Sequence, residues 1–180
     1  DVGQHRTGIA VGQEAVALYE MIAKSPGLRP GGLHVYDGHN HQDGLAERKA
    51  AVLQLLEPVL QLRRTLDAKG LPVPRVVCGG SPTFPVFAAL DFPGLECSPG
   101  TFVLYDNGYG ARYSDLAGFT PAALLLTRVI SRPTPNRVTF DLGYKAVASD
   151  PPAGKRLTLL DVPDYQAVLQ NEAHLVIETP

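Results

Sequence analysis

Apolar runs and helix-like segments alternate over about the first hundred residues, and this alternation limits the folds that the chain can adopt. Apolar residues recur close to helical spacing in Gln13–Lys24 and again in residues 45–69, where Pro58 predicts a kink. Short apolar runs typical of strands lie at residues 33–36 and 76–78. Strands that alternate with helices are typical of βαβ units on a parallel sheet or barrel. The sequence therefore predicts an α/β fold for this region.

The pattern changes near Asp106. Beyond it, strand-like runs alternate with turns that carry Pro, Asn and Gly, and no convincing long helix follows; the runs cover residues 123–130, 137–140 and 156–160. Short strands separated by such turns are typical of a mainly β domain. We therefore expect a first domain over residues 1–105 and the start of a β domain over residues 106–180.

Two glycine-containing corners lie next to apolar runs, and each carries a hydroxyl residue. The first corner, residues 79–81 (Gly-Gly-Ser), follows the run at 76–78. The second corner, residues 100–101 (Gly-Thr), precedes the run at 102–105, which we expect to be a strand. Glycines let backbone N–H groups approach an anion, and a hydroxyl adds a further donor. Either corner alone is more often a tight turn, but the two together could hold one phosphate from two sides.

Several other polar side chains also fall at expected strand ends. The opening segment, DVGQHRTG, places His5 and Arg6 where a presumed strand end meets a helix. Tyr36 ends the next apolar run and His39 follows it, as Ser81 follows the run after that. In barrels and open α/β sheets, ligands bind at the carboxyl ends of strands. We therefore predict a ligand site where these side chains meet.

The loop after the first complete strand has the alternating form His39-x-His41-x-Asp43. This alternation could place three metal ligands on one side of an extended segment. A run bracketed by Gly38 and Gly44 is more often a solvated loop, with Asp43 capping the helix that follows. We favour the loop and assign no metal ligand in this chain.

The composition is that of an ordinary globular protein, with 44% hydrophobic and 19% charged residues. The net charge of -2 gives no electrostatic reason to expect nucleic acid or an anionic membrane as a partner. No apolar run approaches the roughly 20 residues that span a bilayer. Cys78 and Cys97 lie in apolar runs, so we expect two buried thiols in a reducing, cytoplasmic compartment.

Both ends of the chain resemble parts of strands. Asp1-Val2-Gly3 has the form of a strand end, the chain has no initiator methionine, and residues 175–180 are another apolar run. We therefore expect this sequence to be a piece of a longer chain.

Five sequence motifs occur in the same order as in a known enzyme family. DVGQHRTG resembles the D-x-G-x-x-R-x-G segment of the alanine racemase-like, fold type III pyridoxal-phosphate enzymes, and SPGTFVLY resembles the segment where their barrel passes into the β domain. GLHVYDGH, VVCGGSPT, ECSPGTFVLYDNGY and DLGYKAVASD together resemble the D-threonine aldolase / D-serine dehydratase branch. The resemblance extends over essentially the whole chain. It implies part of a TIM-like (β/α)8 barrel followed by the start of a mainly β domain.

The resemblance also implies a cofactor, pyridoxal 5'-phosphate, at the carboxyl ends of the strands. Its phosphate would be held by the two corners, that is by Gly79, Gly80, Ser81, Gly100 and Thr101. Arg6 matches the family's arginine near the phenolic oxygen of the cofactor, and His5 beside it is a further cofactor-binding candidate. Tyr36 would pack on the pyridine ring or hydrogen-bond to it. Arg6 and Tyr36 are also the catalytic candidates.

The sequence departs from the family pattern at three points. Ser98 stands where alanine racemases have an arginine that contacts the ring nitrogen, which favours the aldolase and dehydratase branch over a racemase. The family's Schiff-base lysine lies upstream of the DVG segment, and none of the five lysines of this chain matches it. The family's His-x-Cys or His-x-Asp metal pair lies downstream of Pro180. We therefore expect this fragment alone to be inactive, and the implied divalent metal (Mn, Mg or Zn) to bind outside it.

The resemblance implies a lyase that acts on D-β-hydroxy amino acids, of the D-threonine aldolase or the D-serine dehydratase type. An amino-acid racemase remains an alternative. So does a non-catalytic pyridoxal-phosphate-binding module, which the missing lysine would fit. The expected partners are a small-molecule D-amino acid substrate and, by resemblance, a second copy of the chain in a homodimer, with no nucleic acid and no membrane.

Overall fold

The structure is a computed structural model that describes residues 1–180. The chain forms two compact units, Asp1–Val103 and Leu104–Pro180. No helix combines the length and the apolar character that a membrane span requires. The assignment of these units to a barrel and to a β domain stays a prediction.

The first unit alternates strands and helices, which confirms the predicted α/β organisation. Its elements are α1 (Gln13–Lys24), β1 (Leu33–Val35), α2 (Leu45–Ala68), β2 (Val76–Cys78), α3 (Phe84–Ala88) and β3 (Leu95–Cys97). The three strands form a parallel sheet in the order β1-β2-β3. Val35 aligns with Cys78, and Cys78 aligns with Cys97, so the carboxyl ends of all three strands lie at one edge.

Helix α2 supplies most of the hydrophobic core of this unit. Its buried face carries Val52, Leu56, Val59 and Leu66 at spacings of three, four and seven residues, as an amphipathic helix requires. Fully burying one such side chain stabilises a fold by about 1.5–3 kcal/mol. The helix runs without a break through Pro58, which lies on its exposed side.

The predicted cap of α2 is wrong. The N-cap residue is Gly44, and no side chain caps the helix there. An N-cap position is where a side chain caps the first turn, and Asp43 is the residue before this N-cap. Its backbone carbonyl instead accepts a hydrogen bond of 2.9 Å from the Arg48 guanidinium.

The second unit is built on an antiparallel sheet in the order β4-β5-β7-β6. Its strands are β4 (Val129–Thr134), β5 (Arg137–Phe140), β6 (Gln166–Gln170) and β7 (Leu175–Glu178), and a short helix, α4 (Asn107–Arg112), precedes them. A small core forms around Phe140, Leu142, Leu175 and Ile177.

Two of the predicted strands in this unit are misplaced. Residues 123–128 form no strand, and the side chains of Leu124, Leu125 and Leu126 are exposed. Residues 156–160 also lie outside the sheet. Leu157 and Leu159 pack on the small core, while the Leu159 N–H donates to the Tyr165 hydroxyl at 3.2 Å rather than to a neighbouring strand.

Candidate functional site

The ends of the parallel strands bring the predicted site residues to one edge of the sheet. Tyr36 follows β1, Gly79 follows β2 and Ser98 follows β3, each one residue beyond an aligned position. Because the strands are parallel and in register, the segments that continue from them begin side by side. This edge is where open α/β sheets bind ligands.

The first corner depends on glycine at its first position. Gly79 has a φ of 84°, a conformation that other residues adopt at a steric cost. A Cβ atom at this position would lie 3.0 Å from the Phe84 Cα and 3.1 Å from the Phe87 ring. The corner can therefore close onto α3 only because residue 79 has no side chain.

The next residue, Gly80, directs its N–H group into the protein. This N–H donates to Asp37 Oδ1 at 3.2 Å and to Thr83 Oγ1 at 3.1 Å. The Gly80 carbonyl accepts hydrogen bonds from the N–H groups of Thr83 and Phe84. The N–H of Gly80 is therefore already bound inside the protein, and the anion donors of this corner are those of Ser81.

The second corner follows a strand and does not precede one. The strand is β3, and the predicted strand at 102–105 is wrong, since Thr101–Val103 form a turn of 3-10 helix. The Phe102 N–H donates to Ser81 Oγ at 3.1 Å, and the Phe102 ring lies 4.4 Å from the Phe84 ring, between centroids. These contacts turn the segment back towards the first corner, so no strand forms.

The two corners meet. Ser81 Oγ lies 3.4 Å from Thr101 Oγ1. The side chain of Ser81 is almost fully buried, whereas Gly100 and Thr101 are exposed. The backbone N–H groups of Ser81, Gly100 and Thr101 donate to no acceptor of the chain. Two hydroxyl groups and three unpaired N–H groups form a donor set that suits the oxygens of a phosphate.

Tyr36 lies against the first corner and beneath Arg6. The Arg6 guanidinium carbon lies 5.1 Å from the centre of the Tyr36 ring, within the range of a cation–π contact. A Cβ atom at Gly80 would come within 3.3 Å of this ring, and one at Gly38 within 2.6 Å. Glycine at both positions leaves the space that the ring occupies. Both Arg6 and Tyr36 are exposed and therefore accessible to a ligand.

His5 has a different environment from that of Arg6. Its Nδ1 atom lies 3.3 Å from a carboxylate oxygen of Asp1, and 85% of its side chain is exposed. Its backbone has a φ of 55°, and its N–H group donates to Asp1 Oδ1 at 3.1 Å. The described contacts of His5 are therefore with Asp1, and its role in binding a cofactor stays a prediction.

The residues of the H-x-H-x-D loop do not assemble into a metal site. The chain brings no three His, Cys, Asp or Glu side chains together in a way that could hold a metal ion. The loop instead folds around Arg48, a fully buried residue of α2. The Arg48 guanidinium donates to the carbonyls of Gln42 and Asp43 at 2.9 Å and to that of Pro82 at 3.0 Å.

The residues that sequence patterns missed lie beneath the first corner. Asp37 and Thr83 are fully buried and Asn40 is nearly so; the Asn40 side-chain amide and the Thr83 hydroxyl each donate to the Asp37 carboxylate. Asp37 directly follows the apolar run at residues 33–36, and no role was predicted for it. The one local feature of the sequence that could have indicated this arrangement is the hydroxyl residue Thr83, three positions after Gly80.

The two thiols differ in exposure, which corrects the expectation that both are buried. Cys78 is buried, and Cys97 on the neighbouring strand is exposed because β3 is an edge strand of the described sheet. Burial, with smaller contributions from Cys97 and Asp37, raises the pKa of Cys78 to about 12. Cys78 is therefore a protonated thiol at neutral pH and not a nucleophile.

The lysines of this chain are not part of the corners. Lys24, Lys49 and Lys69 lie on helices or at their ends, and Lys24 and Lys69 both pair with Glu20. In the second unit, Lys145 Nζ lies 2.6 Å from Glu172 Oε2. The departure from the family's lysine position stays a prediction from the resemblance.

Comparison with known proteins finds one matching family model and two related aldolases. Residues 122–180 match the model of a putative serine dehydratase domain. D-threonine aldolase of Arthrobacter sp is 29% identical over 157 residues, which are 85% of this chain and 41% of that protein. 3-Hydroxy-D-aspartate aldolase of Paracoccus denitrificans (strain Pd 1222) is 28% identical over 158 residues, which are 83% of this chain and 40% of that protein.

Among solved structures, D-threonine aldolase from Filomicrobium marinum superposes with a TM-score of 0.87 at 24% identity. The superposition covers 99% of this chain and 48% of that structure. The chain thus has the fold of about half of an alanine racemase-like protein, and it spans about half the length, or less, of the proteins that it matches.

Proposed function

We infer that this chain belongs to the D-threonine aldolase and D-serine dehydratase branch of the alanine racemase-like proteins, because it is similar to a putative serine dehydratase domain and to two aldolases. From this premise we propose that the protein containing it is a pyridoxal-phosphate-dependent lyase that acts on D-β-hydroxy amino acids. The reaction is either the retro-aldol cleavage of a D-threonine aldolase or that of a D-serine dehydratase, in which elimination of water is followed by hydrolysis of the resulting imine to a 2-oxo acid and ammonia. The two aldolase relatives support the first reaction, and the match to a putative serine dehydratase domain supports the second.

The meeting of the two corners is the observation that carries this proposal. The hydroxyl groups of Ser81 and Thr101 lie side by side, and the unpaired N–H groups of Ser81, Gly100 and Thr101 accompany them. A phosphate has enough acceptor oxygens to bind all of these donors at once. The residues present therefore fit the phosphate of the cofactor that the resemblance implies.

Tyr36 and Arg6 would orient the rest of the cofactor. The Tyr36 ring lies against Gly80, next to the phosphate donors, so an aromatic ligand held there can pack on it. The Arg6 guanidinium, on the same ring, offers donors to a phenolic oxygen. Bound pyridoxal phosphate supplies the electron sink for the negative charge that develops at the substrate Cα.

The divalent metal does not fit the residues described here. A metal ion on the substrate hydroxyl would polarise it, but this chain offers no cluster of three ligands for such an ion. We propose that the ligands of this Mn, Mg or Zn ion lie elsewhere in the full-length protein, and we derive no step through the metal.

We also propose the domain organisation, the location and the oligomeric state from the resemblance. We assign residues 1–105 to a part of a TIM-like (β/α)8 barrel and residues 106–180 to the start of a β domain. The parallel sheet of the first unit and the antiparallel sheet of the second support this assignment. The free thiols Cys78 and Cys97 fit a cytoplasmic location, and the resemblance favours a homodimer.

One observation favours a second candidate, a non-catalytic pyridoxal-phosphate-binding module. None of the lysines described here lies at the strand ends that carry the corners. A binder needs the phosphate donors and the ring contact, but no lysine that links covalently to the cofactor. A racemase has less support, because Ser98 carries a neutral hydroxyl where racemases have an arginine.

The products formed from D-threonine by the full-length protein, supplied with pyridoxal phosphate and Mn²⁺, distinguish these functions. An aldolase forms glycine and acetaldehyde, a dehydratase forms 2-oxobutanoate and ammonia, and a racemase changes the configuration at Cα. Ser81→Ala should weaken cofactor binding, whereas Ser25→Ala, at the exposed end of α1, should not. If the protein binds the cofactor but forms none of these products from D-threonine or D-serine, it is the binding module.

A further inference from the structure

The Asp37 carboxylate is buried directly beneath the first corner. The residue is fully buried, and its Oδ1 atom accepts hydrogen bonds from the Gly80 N–H at 3.2 Å and from the Thr83 hydroxyl at 2.9 Å. Its Oδ2 atom accepts from the side-chain amide of Asn40 at 3.4 Å. We propose that Asp37 is the positioning residue of the phosphate site, acting through the Gly80 peptide and not by contact with the ligand. This inference rests on the proposed function.

A packing role alone does not account for a carboxylate at this position. A buried charge is costly unless it is paired or hydrogen-bonded, and an apolar residue would fill the same space at no such cost. The Asp37 carboxylate is retained with donors from three different residues arranged around it, namely Asn40, Gly80 and Thr83. The arrangement therefore fixes the positions of these donors.

The peptide that Asp37 holds is the one that needs an external restraint. Two adjacent glycines, Gly79 and Gly80, have many accessible backbone conformations, so the corner has little intrinsic preference for one geometry. Asp37 and Thr83 fix the Gly80 N–H, and the Thr83 and Phe84 N–H groups fix the Gly80 carbonyl. With both sides of this residue fixed, the position of Ser81 follows.

The inward direction of the Gly80 N–H determines which groups of the first corner are available to a phosphate. Because this group points inward to Asp37, the next N–H group and hydroxyl, those of Ser81, are free to face Thr101. Without the carboxylate, the Gly80 N–H can turn outward, and the Ser81 hydroxyl moves relative to Thr101. Asp37 should therefore control phosphate affinity specifically, and not the affinity for the ring of the cofactor.

Comparing two ligands that differ only in the phosphate tests this inference. The full-length protein is dialysed to equilibrium against pyridoxal 5'-phosphate and, separately, against pyridoxal. The measured ratio is the dissociation constant of pyridoxal divided by that of pyridoxal 5'-phosphate. We expect Asp37→Asn, which keeps the shape but removes the negative charge, to reduce this ratio about tenfold or more, the scale of one lost hydrogen bond to a charged group. Thr83→Val removes the hydroxyl that Asp37 holds, and it should reduce the ratio in the same direction.

Leu66→Ala is the matched control. Leu66 is fully buried near the C-terminal end of α2, where its carbonyl accepts from the Leu71 N–H, so its truncation should lower thermal stability and leave the ratio unchanged. The inference is overturned if Asp37→Asn and Thr83→Val weaken binding of both ligands equally or leave both unchanged. If Asp37→Asn fails to fold, Thr83→Val alone decides. A wild-type ratio near one would instead overturn the proposed function, because the protein would then not recognise the phosphate.

Discussion

The hydroxyl oxygens of Ser81 and Thr101 lie 3.4 Å apart, although 20 positions separate the two residues in the sequence. The proximity depends on the register of β2 and β3, which ends the two strands at the same level. A second contact, from the Phe102 N–H to Ser81 Oγ, holds the two corners together. Donors from separate strand ends thus form one site, which neither corner would provide alone.

Alanine substitutions at the two corner glycines should differ sharply in their effect on stability. Gly79→Ala forces a side chain into a positive-φ position, 3.0 Å from the Phe84 Cα, so we expect a loss of roughly 1–3 kcal/mol. Gly100→Ala meets no atom within 4 Å and should change the free energy of unfolding by about 0.5 kcal/mol or less. Urea denaturation of the two variants measures both values. Equal losses would contradict the described geometry of the first corner.

Arg6→Ala should reduce turnover of the full-length enzyme far more than it reduces stability. The guanidinium is exposed, and its contact with the Tyr36 ring contributes only about 0.5–1 kcal/mol to folding. Under the proposed role of Arg6 as a donor that orients the cofactor, its loss should lower kcat by at least about tenfold. Arg64→Ala, which removes an exposed arginine paired with Glu57, is the control and should leave kcat unchanged. Unchanged turnover in Arg6→Ala would remove Arg6 from the site.

Borohydride reduction of the 180-residue chain with added pyridoxal phosphate should leave no stoichiometric pyridoxyl group on its lysines. The lysines of the first unit lie on or beside helices, and the ammonium of Lys145 is held by the Glu172 carboxylate at 2.6 Å. Peptide mapping by mass spectrometry reads out the result. A stoichiometric adduct on Lys145 would show that this chain carries its own cofactor-linking lysine.

Cys78 should resist alkylation in the folded protein, whereas Cys97 should react. Iodoacetamide at pH 8 is expected to modify the exposed Cys97, and to modify Cys78 only after unfolding in guanidinium. The pKa of Cys78 rises from 9.0 to about 12 on folding, so its contribution to stability is complete below pH 9 and is lost between about pH 9 and pH 12. Cys78→Ala should flatten this part of the curve of unfolding free energy against pH. Rapid labelling of both thiols in the native state would contradict the burial of Cys78.

Much of the first unit could be predicted from sequence because its signals are local. The bounds of α1 and β2 follow from apolar periodicity and from the residues that stop each element. The position of the strand near the second corner could not be predicted in this way. The apolar run at 102–105 has strand propensity, but Phe102 is bound by the side chain of Ser81 and the ring of Phe84, both distant in sequence.

The support beneath the site was missed for a related reason. Asp37 stands in a segment rich in glycine, histidine and asparagine, which is typical of a solvated loop. Its burial depends on Thr83, 46 residues away, and no pattern in the sequence joins the two. The hydroxyl donors of the corners could be proposed early because glycine next to serine or threonine is itself a local signal.

A crystal structure of the full-length protein with pyridoxal phosphate tests the central claim most directly. We predict that the cofactor phosphate lies between the two corners, within hydrogen-bond distance of the Ser81 and Thr101 hydroxyl groups and of the N–H groups of Ser81, Gly100 and Thr101. The Tyr36 ring should then contact the pyridine ring, and Asp37 should remain bound to the Gly80 N–H. A phosphate bound away from Ser81 and Thr101, with the two corners empty, would contradict the account.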